Sequence, residues 1–289
     1  MTSDVTYAKE QATSGDFFGI AWNYDEDTKT VTITGTGKMH DHEGYDVYVD
    51  GDDCPWWEFN HVTENIIIEE GITHIGVDAF DNFIVTNVSI SDSVTSLGAD
   101  SFGGCWKLEY IKLPKSLKKI ESGAFCSCEE LKEIDIPDSV TSMGKWAFAD
   151  CDNLSSVKLP KKLKTLQEGI FRNSYKLKSI KIPVSVTRID ANAFEGSGIR
   201  SITIPKNVTT LKNDIFLDCK NLKTITIVSE KISKISKYTF RGVNEKTVIK
   251  VPKKKLKEYK KMFYNAGLNK KVKIISSTPT PTPTPTPSK

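Results

Sequence analysis

Three apolar columns run through most of this chain in a single register. Phe80, Phe102, Phe125, Phe148, Phe171, Phe194, Phe216 and Phe240 follow one another at steps of 22, 23, 23, 23, 23, 22 and 24 residues. Five residues before each stands Ile75, Leu97, Ile120, Met143, Leu166, Ile189, Leu211 or Ile235. Three residues before those comes Ile72, Val94, Leu117, Val140, Leu163, Val186, Val208 or Ile232. Each unit is preceded by an apolar–variable–apolar triplet such as Ile134-Asp135-Ile136 or Ile180-Lys181-Ile182. That alternation has the period of a short strand with one buried face. Pro114, Pro137, Pro160, Pro183, Pro205 and Pro252 close six of the triplets, and a residue without an N–H ends a ladder there. One unit therefore reads as strand, turn, second extended piece, then a tight turn or short helix around the Ala-Phe pair.

A unit of about 23 residues cannot bury a core alone, so the units must stack, each covering the next. The pattern predicts a β-rich solenoid of right-handed, about 23-residue coils. Nine triplet strands line up as one parallel sheet, roughly 40 Å long at about 4.8 Å per strand. Its ends need covers. Before the repeats, Ile20-Ala21-Trp22 and Val31-Thr32-Ile33 alternate around Asp25-Glu26-Asp27, which predicts a β-hairpin cap. After them Leu256, Tyr259, Met262 and Phe263 fall at helical spacing and Gly267 supplies a stop, which predicts a C-terminal cap helix closed by Val272-Lys273-Ile274. The chain then divides into an N-terminal β cap (1–62), a solenoid with its C-terminal cap (63–275) and a tail (276–289). The tail holds five Thr-Pro pairs and reads as an extended spacer or a disordered tail. A further module or a wall anchor is expected beyond Lys289.

The unit from Leu131 to Cys151, with Ser139-Val140, Ala147-Phe148 and a Cys three residues after the Phe, resembles the repeat of BspA-like, or Treponema pallidum-type, leucine-rich-repeat proteins. The resemblance covers about residues 63–275. In 15–62, Ala21-Trp22, Thr32 to Gly37 and Pro55-Trp56 look like the family's opening region. Members are typically bacterial surface or secreted proteins linked to adhesion and host contact. The resemblance thus implies an extracellular or cell-surface location, whereas the spacing itself establishes only the solenoid.

Charge changes this picture little in sum and more in distribution. The formal net charge is +3, which calls for no nucleic-acid partner. Residues 1–60 carry thirteen Asp and Glu against three Lys, and residues 245–273 carry eleven Lys against two Glu. No stretch approaches the roughly 20 apolar residues of a membrane span. Cys105, Cys128, Cys151 and Cys219 share one place in the repeat that Ser174 and Ser197 fill in other coils. Such interchange predicts reduced, buried thiols rather than bridges or a zinc site. His40 and His42 flank Asp41, with Asp46, Asp50, Asp52 and Asp53 beyond. Without EF-hand spacing this reads as an acidic surface loop rather than a metal loop. No serine elbow, HExxH or phosphate loop occurs, so no catalysis, metal or cofactor is expected.

The outward positions of the triplets form a broad polar face with a basic centre. Tyr110, Lys112, Glu133, Asp135, Lys158 and Lys181 must point out because Ile111, Leu113, Ile134, Ile136, Val157, Leu159, Ile180 and Ile182 point in. Trp106 and Tyr175 share the place after the Cys column and are further candidate anchors. The reading is a non-catalytic protein-binding or adhesion module. Its partners are surface proteins of host or neighbouring cells, extracellular matrix, or anionic glycans. A carbohydrate-binding accessory module and a passive surface spacer are the alternatives.

Overall fold

The N-terminal cap converts an antiparallel hairpin into the first rung of a parallel sheet. Strand β1 (Ser14–Phe17) pairs antiparallel with β2 (Ile20–Asp25), and β2 with β3 (Thr30–Gly35). Asp25 holds the turn by accepting the Thr28 N–H at 2.9 Å. Ile20, Trp22 and Tyr24 alternate inward along β2. β3 then pairs parallel with Asn65–Ile68. These features come from a computed structural model that describes residues 12–41 and 54–277. His42, Asp46, Asp50, Asp52, Asp53 and the Thr-Pro pairs lie outside the described residues.

Two parallel ladders run along the repeats. The first holds the triplets: Asn65–Ile68, Asn87–Ile90, Glu133–Asp135, Ser156–Lys158, Ser201–Ile204, Thr224–Ile227 and Val248–Val251. The second holds the extended pieces in two sheets, from Ile72–Ile75 to Ser142–Met143 and from Thr165–Leu166 to Lys234–Ile235. The expected single nine-strand sheet is interrupted. Ile111–Leu113 carries only one bridge, between Tyr110 and Glu133, and residues 179–182 form no strand. Pro114, Pro137, Pro160, Pro183 and Pro205 close five consecutive triplets across this stretch. In coils without Pro, the residue after the triplet donates back to the preceding coil, as Ser91 N–H does to Ile68 O and Val228 N–H to Ile204 O. Proline has no hydrogen to give, so these five coils lose that closing bond, although Glu133–Asp135, Ser156–Lys158 and Ser201–Ile204 still pair as strands.

Around each Phe the chain forms a turn, not a short helix. Left-handed residues stand two before and two after the ring: Asp100 and Gly104 about Phe102, Gly169 and Asn173 about Phe171. This alternation lets the N–H of each flanking residue and of the Phe reach the next coil. Phe125 N–H donates to Ala147 O at 3.0 Å, and Ser127 N–H to Ala149 O at 2.9 Å. Inside, the eight rings form one stack with centroids 5.4–6.5 Å apart and planes within 24°. The four column cysteines donate to carbonyls of the preceding coil, as Cys128 Sγ does to Phe102 O at 3.3 Å, and Ser174 Oγ makes the same bond to Phe148 O. That shared bond explains the Cys/Ser interchange.

Both ends of the stack are sealed. Trp56 lies 6.1 Å from Phe80 at one end. At the other, helix α1 (Leu256–Asn265) buries Tyr259 and Phe263, and Phe263 lies 4.6 Å from Phe240. Gly267, at φ 87°, turns the chain out of the helix. Lys273–Ser276 then adds a last parallel strand beside Val248–Val251. Among the described residues no helix is long and apolar enough to cross a membrane.

Candidate functional site

The sheet face carries shallow relief, and five of the six expected face residues share one depression. It has a volume of about 600 Å³ and takes in Tyr110, Lys112, Glu133, Asp135 and Lys158. Ile111, Leu113 and Ile136 are its buried floor. Tyr110 is 52 % exposed and divides this depression from one of about 290 Å³ beside Asn65 and Asn87. The Lys132 ammonium sits 5.3 Å from the Tyr110 centroid while also pairing with Glu109. Asp135 pairs with Lys158 at 3.2 Å. Lys112 and Glu133 have no ion-pair partner among the described residues, so the depression offers one charge of each sign. Lys181 stands apart, in a depression of about 510 Å³ rimmed by Val184, Pro205 and Val228. Trp106 and Tyr175 are not on this face; they lie on the turn rim.

Sequence reasoning missed a second constellation. His74 Nε2 lies 2.8 Å from Asp41 Oδ1, and His74 Nδ1 lies 2.8 Å from Ser96 Oγ. The ladder puts His74 opposite Ser96, and the cap brings Asp41 across. Gly76 permits that approach, since a Cβ there would lie 1.9 Å from His40 O. Burial pushes the Asp41 carboxyl up. The hydrogen bonds from His74 and Val77, with the charge of His74 and His40, outweigh it and hold the group below its ordinary range. The order Ser–His–Asp has the connectivity of a hydrolytic triad, but an oxyanion site needs free donors. The nearby amides of Thr95, Gly98 and Val77 donate to Thr73 O, Ile75 O and Asp41 Oδ1. The constellation acts as a clasp between the cap and the first two coils.

The Phe turns carry a group of carboxylates. Burial, then the charges of Asp78 and Asp100, push Asp81 up to about 6, against the opposing bond from Asn82. Burial also raises Asp78 and Asp100. Among the described residues no group of His, Cys, Asp and Glu is arranged to hold a metal ion. Burial raises the Cys219 thiol to about 11 and the other column thiols further, so none is an activated nucleophile.

Stacked coils, paired ladders and a continuous Phe column define a leucine-rich-repeat solenoid. A family model described as BspA type leucine rich repeat region, in six copies, matches residues 59–178 and 168–280. The chain belongs to this family. It is similar to a leucine-rich repeat protein from Bacteroides ovatus at 25 % identity, over 91 % of this chain and 78 % of that one, with a TM-score of 0.56. It is also similar to a leucine rich cell surface protein from Faecalibacterium prausnitzii at 22 % identity, over 93 % of this chain and 74 % of that one, with a TM-score of 0.50. That second likeness concerns the fold. No curated protein matches the sequence.

Proposed function

We propose that this chain is a non-catalytic binding module displayed on a bacterial surface or secreted. It takes a protein partner of a host cell, a neighbouring cell or the extracellular matrix on its sheet face. The observation that carries this is the depression around Tyr110, where Lys112 and Glu133 are exposed and unpaired beside a half-exposed aromatic ring. An exposed aromatic anchor with polar groups around it matches the centre and rim of a protein contact. Family membership supports a surface role. Lys112, Lys158 and Lys181 favour an acidic segment.

The test reverses charge on two surfaces separately, with binding to matrix proteins and intact cells as readout. Loss with Lys112/Lys158/Lys181→Glu alone supports the sheet face. Loss with Lys254/Lys257/Lys260/Lys261→Glu alone moves the site to the C-terminal cap. Stronger binding to a sulfated glycan than to any protein favours a carbohydrate-binding accessory module. No binding to either leaves a passive spacer.

A further inference from the structure

The turn rim carries a second surface, with two acidic side chains at its centre. The residue after the Cys column is Trp106, Glu129, Asp152 and Tyr175 in four successive coils. Backbone bonds fix these four in register. Glu130 N–H donates to Trp106 O at 3.0 Å, Asn153 N–H to Glu129 O at 2.9 Å, and Lys176 N–H to Asp152 O at 3.2 Å. The result is a straight file in which two aromatic rings bracket two carboxylates. Three coil steps separate the rings, about 15 Å at the usual strand spacing.

Both rings are open to solvent, Trp106 at 44 % and Tyr175 at 55 % exposure. Large rings left this open on a close-packed solenoid leave apolar area unused by the fold. The carboxylates are equally uncommitted. Glu109, Asp135 and Asp138, on the same coils, pair with Lys132, Lys158 and Lys161. Glu129 and Asp152 make no ion pair and no side-chain hydrogen bond among the described residues. Partial burial, then Glu129 and Asp150, push the Asp152 carboxyl up, as expected of an anion lacking a counter-charge. The local lysines do not fill the gap. Lys176 bonds the Asn153 amide rather than a carboxylate. Lys107 lies 4.9 Å from the Trp106 centroid rather than beside a carboxylate, which shows that this ring accepts a cation on one face.

We infer that the Trp106–Glu129–Asp152–Tyr175 file is a docking site for an extended cationic segment of a partner protein. One basic side chain of the segment lies between Glu129 and Asp152, and the side chains two residues to either side of it stack on the two rings. In an extended segment, residues four apart are about 13–14 Å from one another, close to the separation of the rings. Arginine suits the site better than lysine, because its planar guanidinium both stacks on a ring and forks onto a carboxylate. The site shares no residue with the sheet face, so the two surfaces stand or fall separately.

The test uses the full chain and a synthetic octapeptide of alternating Gly and Arg, read by tryptophan fluorescence and calorimetry. Cellohexaose and an alternating Gly–Glu octapeptide are the comparison probes. Glu129→Gln/Asp152→Asn keeps side-chain shape and removes the charge. It is expected to weaken the Gly–Arg peptide about tenfold, as two exposed charge contacts should. Trp106→Ala and Tyr175→Ala are expected to weaken it about threefold each, which diffuse attraction to an acidic surface would not do. Trp106→Phe should remove the fluorescence change while leaving thermal unfolding unaltered. Affinity unchanged in the charge variant or in both ring variants overturns the proposal, as does tighter binding of cellohexaose than of the Gly–Arg peptide.

Discussion

Asp41 Oδ1 sits 2.8 Å from His74 Nε2, so a carboxylate of the N-terminal cap is held by the first coil of the repeat. The same oxygen accepts Val77 N–H at 3.0 Å. Because the Asp41 carboxyl is held below its ordinary range, the clasp adds stability above the unfolded carboxylate pKa. That stability is lost as pH falls through the lower folded value. Asp41→Ala should destabilise the protein by about 1 kcal/mol near pH 7, at the low end for a charged hydrogen bond because the group is half exposed. Denaturant unfolding of both proteins across pH should show the two curves merging in acid. Equal stability near pH 7 would deny the clasp.

Asp81 has the opposite sign. Its carboxyl is pushed up to about 6 by burial and by Asp78 and Asp100. An acid with a raised folded pKa contributes stability that is full below the unfolded value and fades as pH rises through the folded one. Asp81→Asn should therefore stabilise the protein by about 1–2 kcal/mol above pH 7 and by little near pH 4. Thermal midpoints at the two pH values read the difference. A variant that destabilised at both would refute this sign.

Phe148 lies between Phe125 at 5.4 Å and Phe171 at 6.0 Å and is fully buried. Phe148→Ala should cost about 3–5 kcal/mol. Chemical unfolding measures it, and a loss below about 1 kcal/mol would show that the stack can close over the missing ring.

Ser101 fills a place held by Ala79, Ala124, Ala147 and Ala193 in other coils. Its hydroxyl is buried and has no hydrogen-bond partner among the described residues. Ser101→Ala should stabilise the protein by about 1 kcal/mol, the penalty of an unsatisfied buried hydroxyl. A decrease in thermal midpoint would mean that the hydroxyl is satisfied in solution.

Cys126 is half-buried, whereas Cys105, Cys128, Cys151 and Cys219 are buried in the column. A maleimide reagent should modify Cys126 well before those four under native conditions. Peptide mapping of the partly labelled protein identifies the order. Early modification of Cys151 would place the column at the surface.

What the sequence made legible follows from how tightly each feature is tied to a period. The Phe stack, the inward triplets and the Cys column recur in one register, because every coil meets the same neighbours. Helix α1 was equally readable from Tyr259 and Phe263 with Gly267 behind them. The turn about each Phe was read as turn or short helix, although the Asp, Asn and Gly residues flanking the ring carry the signal for left-handed backbone. Asp78, Asn82, Asp150 and Asn173 stand at those places. The break in the sheet was half visible. Each Pro marks the end of its own strand, and its missing N–H also removes one bond to the preceding coil, but neither shows which coils lose their pairing. The Asp41–His74–Ser96 clasp could not be seen, since three residues at unrelated spacings meet only because the cap folds over the first coils. Outward direction could be read for Tyr110 and Lys112. The depression could not, because it is shaped by side chains of three neighbouring coils together.

The loss of pairing at Ile111–Leu113 also has a mechanical side. On the sheet side, tension along the axis passes through parallel hydrogen bonds, and these are sparse at Ile111–Leu113 and absent at residues 179–182. On the opposite side the Phe rings press against one another without a gap. The triplet ladder thus consists of three paired lengths separated by two unpaired stretches, while the ring column runs past both.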